Sequence, residues 1–229
     1  MKKAIFCNVL AVVICCSVGC GSGETASREE SGKKGNTDIR TASDERQETT
    51  EKADTYVSME SSWAYDVADP EAVIENTNYF ARVLVNTKEQ TKYFVKNTVM
   101  PDSTYSVRVV DVISPENAAL PENIKIAAGG GVVSLEEYAN TLDSGTQEKT
   151  KTDELSEEDM QKQVLVADES YYELEPGKEY YVCIRDLTQD KDYRGYYGMP
   201  EGGYDVFLEK DGTYVNVLTQ QTLIKQVDK

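Results

Sequence analysis

Histidine is absent from the 229 residues. The side chain that most often serves as a general base near neutral pH, and the commonest nitrogen ligand of metals, is therefore missing, which leaves zinc chemistry and His-assisted nucleophilic catalysis without their usual parts. Cysteine is scarce where it would matter. Of the five, Cys7, Cys15, Cys16 and Cys20 fall in the first twenty residues and only Cys183 lies further on. A domain that begins after Cys20 has no intramolecular disulfide available to it. Cys183 sits in the apolar run Tyr180-Tyr181-Val182-Cys183-Ile184, where a single cysteine reads as a small buried hydrophobe. Basic charge is also in deficit: 24 Lys and Arg against 41 Asp and Glu give a net charge of −17. So acidic a surface repels phosphate backbones and anionic head groups, which argues against nucleic acid as a partner and against membrane adsorption through basic patches. The three glycines Gly129-Gly130-Gly131 lack the Lys and Ser or Thr of a phosphate loop, so they read as a bulge or a close backbone approach.

What is present starts at Met1. Lys2 and Lys3 precede an uncharged apolar run from Ala4 to Val18, shorter than the roughly 20 residues needed to span hydrocarbon. Ser17-Val18-Gly19-Cys20 resembles the lipobox cut by lipoprotein signal peptidases, with Ser17 where Leu is usual. Residues 1–19 are therefore expected to be an export signal, and Cys20 the lipid (palmitate) attachment site that holds the chain to the membrane with its domain extracytoplasmic. Without Lys2 and Lys3 the mature chain has 22 basic and 41 acidic residues, a net −19. From Gly21 to Tyr56 the only large aliphatic residue is Ile39. Such a stretch cannot bury enough apolar surface to offset its ordering entropy, so 20–56 reads as a disordered linker. As a flexible coil it would reach on the order of 30 Å on average and roughly 120 Å at full stretch.

Residues 57–229 suit a single domain. Asp69-Pro70-Glu71 opens a short helix with an N-cap, a proline at the first helical position and an acidic first turn. Ser134-Leu135-Glu136-Glu137 predicts a second. Strands are expected at 79–85, 92–95, 104–112, 124–128, 164–166, 179–187, 204–209 and 213–218. Alternation in Thr104 to Val109 slips phase at Val110, which predicts a bulge there. Lys210-Asp211-Gly212 is a hairpin turn, and Thr219 to Lys229 reads as a short helix or frayed tail. An acidic insertion at 143–163, with Asp153, Glu154, Glu157, Glu158 and Asp159, reads as a mobile solvated loop, lacking the glycine and distal Glu of a calcium loop. No helix is long enough for a parallel crossover, so the expected fold is mainly β: a small antiparallel Greek-key or OB-like barrel with one or two short helices, preceded by the tether.

The strand at Thr104-Tyr105, Ile124-x-Ile126 running into Gly129-Gly130, Leu174-x-Pro176-Gly177-x-Glu179-Tyr180-Tyr181-Val182, and Gly202-Gly203-Tyr204 with Asp211-Gly212 resemble uncharacterised Gram-positive surface lipoproteins with an OB-like, netrin-like barrel. The resemblance covers about residues 70 to 218 and rests on structural turns. The metalloproteinase inhibition of better-known netrin-like proteins uses a disulfide-held N-terminal cysteine, which this chain lacks, and is not implied here. Tyrosines crowd the last third, and the loop Asp190 to Pro200 places Tyr193, Arg194, Tyr196 and Tyr197 together. Tyr supplies apolar area with a hydrogen-bonding tip, so these four are the expected contact for a wall polymer or surface protein. The expectation is a non-enzymatic interaction module with no cofactor, no metal and no catalytic residues. The alternatives are a carboxylate hydrolase of wall glycan, using pairs such as Asp186 with Asp190 or Asp192, and a structural spacer.

Overall fold

The computed structural model describes residues 52–224. The signal segment, Cys20, the linker up to 51 and the tail from 225 lie outside the described residues. Eleven strands and four short helices follow one another: β1 (Thr55–Ser58), α1 (Pro70–Glu75), β2 (Tyr79–Lys92), β3 (Asp102–Ser114), β4 (Asn123–Gly129), β5 (Gly131–Ser134), α2 (Leu135–Ala139), α3 (Ser144–Thr150), α4 (Glu157–Met160), β6 (Gln163–Ala167), β7 (Glu179–Asp186), β8 (Tyr197–Met199), β9 (Val206–Lys210), β10 (Thr213–Asn216) and β11 (Thr222–Ile224).

The fold is mainly β, as the alternating strands dictate. Strands β2, β3 and β4 form an antiparallel meander, β7 flanks β2, and β8 lies between β4 and β7. Numbered in chain order, these five follow the ring order 1-2-3-5-4-1, with β4 and β8 parallel. That is a five-stranded Greek-key connectivity of the OB kind. The sheet is ring-like without being a barrel. Strand β8 has three residues and meets β7 only at Arg185↔Gly198 and Asp186↔Tyr197, while Tyr181 and Val182 pair with β9 instead. From there β9, β10 and β11 continue outward as a meander.

Alternation in the ring strands builds two cores. Val83, Val85, Tyr105, Val107, Ile126, Val182 and Ile184 point inward to one cluster. Phe80, Tyr181, Cys183, Phe207 and Tyr214 form a second on the outer face, closed by Val73 of α1. Strand β7 is buried on both faces, which is why its sequence is an uninterrupted apolar run. The cysteine within it is free and buried, its thiol pushed well up by desolvation. Both expected caps form: Asp69 accepts from Glu71 N at 3.0 Å, and Ser134 and Glu137 make a reciprocal capping box. The slip foreseen at Val110 is present, because Arg82 faces Asp111 while Val83 faces Val109.

A smaller sheet, in the order β1-β6-β5, packs over α2. Here the structure departs from the sequence reading. Thr55 and Tyr56, assigned to the linker, belong to β1, which runs parallel to β6 from Thr55↔Val164 to Ser58↔Ala167. The pairing recruits a polar stretch through its backbone, with Val57 as its one buried apolar anchor. The acidic insertion is not a plain loop: Asp143 and Ser156 cap α3 and α4, and Asp159 accepts from Ser156 and Lys162. Among the described residues four α-helices form, where one or two short helices are expected. Thr222–Ile224 is a strand against β10, not a helix or frayed end. At the junction of the two sheets, Gly130 has φ +92°, and a Cβ there would meet the Tyr171 ring at 2.5 Å. The glycine run is thus the close approach expected of it.

Candidate functional site

Two loops meet at one end of the ring: residues 93–101, joining β2 to β3, and residues 187–196, joining β7 to β8. The second is shaped by its own polar residues. Asp190 Oδ1 accepts from Asp192 N at 2.8 Å and Tyr193 N at 3.3 Å, and Gly195, at φ +83°, sends its N–H to Thr188 O at 3.1 Å. Tyr196 N returns to Tyr193 O at 2.8 Å. The tight turn sets Tyr193 and Tyr196 against the same neighbour and leaves Arg194 in solvent.

That neighbour is Phe94. Its ring stacks on Tyr193 with centroids 4.6 Å apart at 20°, and Tyr196 meets it edge-on at 4.8 Å and 74°. Lys92, the last residue of β2, donates to the Tyr196 hydroxyl at 3.0 Å and lies 4.2 Å from the Phe94 centroid. Lys125 of β4 sits 5.8 Å from the Tyr196 ring and pairs with Glu89 at 2.9 Å. All three rings are half-buried and braced against one another and the two lysines, so they form a partly exposed platform. Each aromatic pair adds about 0.5–1.5 kcal/mol beyond its burial, so the arrangement is preorganised.

Below the platform lies a cleft of about 500 Å³. Tyr193 lines it and donates its hydroxyl to Asp102 Oδ2 at 3.1 Å. Burial pushes the Asp102 carboxyl up to about 6, opposed by the Tyr193 hydrogen bond and the field of Lys92. The same burial, with the charge of Asp102 beside it, pushes the Tyr193 hydroxyl well up.

Of the four expected contact residues, the structure brings Tyr193 and Tyr196 into the platform and places Arg194 exposed beside it. Tyr197 is a correction. It is the first residue of β8, only 8% exposed, and its side chain turns into the ring core edge-on to Tyr79. A loop residue and its strand neighbour point to opposite sides, and the sequence did not mark where β8 begins. The acids considered for a hydrolase serve their own turns: Asp186 Oδ1 accepts from Thr188 N and Oγ1, and Asp190 holds the loop. Phe94, Lys92 and Asp102 went unrecognised in the sequence. Their signal was the antiparallel pairing of β2 with β3, which brings the loop between them to the same end as the tyrosine loop. Comparison with known protein families, curated proteins and solved structures finds no match.

Proposed function

We propose that the chain is a non-enzymatic binding module of the cell surface, held to the membrane by a lipid on Cys20 and taking a wall polymer on the Phe94–Tyr193–Tyr196 platform. The observation that carries this reading is the platform itself: three partly exposed rings and two lysines from separate strands and loops, braced by ring contacts and a hydrogen bond. Aromatic faces stack on the apolar faces of sugar rings, and lysine and tyrosine tips supply hydrogen bonds to hydroxyls. The lipobox-like Ser17-Val18-Gly19-Cys20 and the polar stretch behind it support a tether long enough to reach into a wall.

The test is co-sedimentation of the full chain, purified in detergent, with insoluble wall glycan. A Phe94→Ala/Tyr196→Ala variant is expected to lose at least about tenfold in affinity while keeping its thermal midpoint within a few degrees. Equal binding by the variant would remove the platform as the contact. The anchor is tested separately: Cys20→Ala is expected to move the protein from the membrane fraction to the medium.

A further inference from the structure

The cleft beneath the platform adds a second element to the site. Its wall combines Tyr193, Trp63, Met100 and Met199, and its charged lining is acidic throughout, with Glu60, Asp102 and Asp168 and no Lys or Arg. Asp168 is fully engaged, accepting from Ser61 Oγ, from Ser170 Oγ at 2.6 Å and from Ser170 N at 2.9 Å. Asp102 is not. Its Oδ2 receives the Tyr193 hydroxyl, whereas Oδ1 accepts from no donor among the described residues, and the half-buried residue lines the cleft. Lys92 reaches Asp102 only through its field, since its Nζ is held by the Tyr196 hydroxyl and the Phe94 ring. The floor beside it is low: a Cβ built on Gly129 meets nothing within 4 Å.

A half-buried carboxylate oxygen with no partner, in a cavity lined by aromatic and methionine side chains and further acids, matches one chemistry. A cation supplies the charge-assisted hydrogen bond that Oδ1 lacks, and the acidic lining, with no Lys or Arg in it, favours the same charge. An anion would meet three acids, and a neutral apolar group would leave the carboxylate desolvated and unpaired. Volume allows a small branch and excludes a folded partner. We propose that the cleft seats a primary ammonium group carried by the wall polymer, with Asp102 as its counter-ion. This rests on the platform reading, because Tyr193 is the ring that platform and cleft share, so a polymer lying on one places its side branches at the other.

Titration calorimetry of the full chain in detergent tests it with two probes: a soluble disaccharide-pentapeptide wall fragment carrying lysine at its third peptide position, and the same fragment acetylated on that Nε. The free amine is expected to bind about tenfold tighter. In Asp102→Asn, whose amide oxygen still accepts from Tyr193, the two probes are expected to bind alike, and Gly129→Val, which fills the floor without changing charge, is expected to remove the same preference. Thermal midpoints establish that both variants are folded. Equal affinity of the two probes for the wild-type chain, with both weakened by Phe94→Ala, overturns the ammonium inference and leaves the platform standing. Binding of neither probe overturns both.

Discussion

Two carboxyls stand out at the scale of single residues, and both lean the same way. In the folded chain Asp102 releases its proton near pH 6, about two units above an ordinary Asp. Between about pH 4 and pH 6 the folded state therefore holds a proton that the unfolded state has lost, so stability from this group is present below pH 4 and falls as pH rises to 6. Asp102→Asn removes that loss. The variant is expected to exceed the wild type by on the order of 2 kcal/mol at about pH 7.5 and to match it at about pH 4, as read from urea midpoints. Asp205 is the stronger case. It is fully buried and shifted well above the carboxylate range by desolvation and then by the charge of Glu201. Asp205 Oδ1 and Glu201 Oε2 are both buried without a partner, and a proton on Asp205 donated to Glu201 satisfies both. Arg185, 2.7 Å from Glu201 Oε1, balances the remaining charge. Asp205→Asn keeps a donor toward Glu201 and is expected to cost less than about 1 kcal/mol, whereas Asp205→Ala strands the Glu201 oxygen and is expected to cost about 2–4 kcal/mol in chemical denaturation.

Among the elements, the tyrosine loop and β8 give the sharpest contrast between neighbours. Tyr197→Ala empties a core position and is expected to cost about 3–5 kcal/mol, while Tyr196→Ala on the platform costs about 1 kcal/mol and acts on binding instead. Thermal melts of the two variants separate the roles. A further element rests on Asn216, whose Nδ2 donates to the carbonyls of Gly203, Tyr204 and Val206 while Oδ1 accepts from Leu218 N and Thr219 N. Asn216→Ala leaves Tyr204 O and the N–H groups of Leu218 and Thr219 without this partner, while Gly203 O and Val206 O keep a backbone donor, and a loss of about 2–3 kcal/mol is expected from urea unfolding. Elements of this kind mark the limit of what the chain discloses in one dimension. The bulge at Val110, the hairpin turn at Asp211-Gly212, the proline-led α1 and the capping box of α2 are local events written in local residues, and each was legible. Strands β1, β5, β8 and β11 have three or four residues each, too few for a period to register, and exist because a longer strand offers them an edge. The candidate site was legible by half for the same reason. Tyr193, Arg194 and Tyr196 lie together in the chain, but Phe94, Lys92 and Asp102 join them only through the pairing of β2 with β3.

For the molecule as a whole, two sheets share a chain that crosses between them three times, through residues 59–78, at Gly130 and through residues 168–178. Cys183, at the heart of β7, reports on the integrity of the larger one. Its thiol is expected to resist a neutral alkylating reagent under native conditions and to react at the rate of global unfolding, which mass spectrometry of the peptide that contains Cys183 reads directly.

The short ladder of β1 on β6 also sets how the described chain would carry a load if held at Cys20 as proposed. Any pull on the chain from its N-terminal side is borne first by four paired residues, flanked by Asp54 N on Gln163 O at 2.8 Å and Met59 N on Ala167 O at 2.9 Å. The next residues along the line of force are Met59 to Trp63, which wall the cleft and are latched by Ser61 on Asp168. Traction on the stem would therefore be transmitted to the cleft before it reaches the ring, and an occupant clamped between this wall and Asp102 would have to be displaced for the wall to move. Under the proposed anchoring and binding, grip and tension would oppose each other at that seam, and a hard enough tug would loosen the grip.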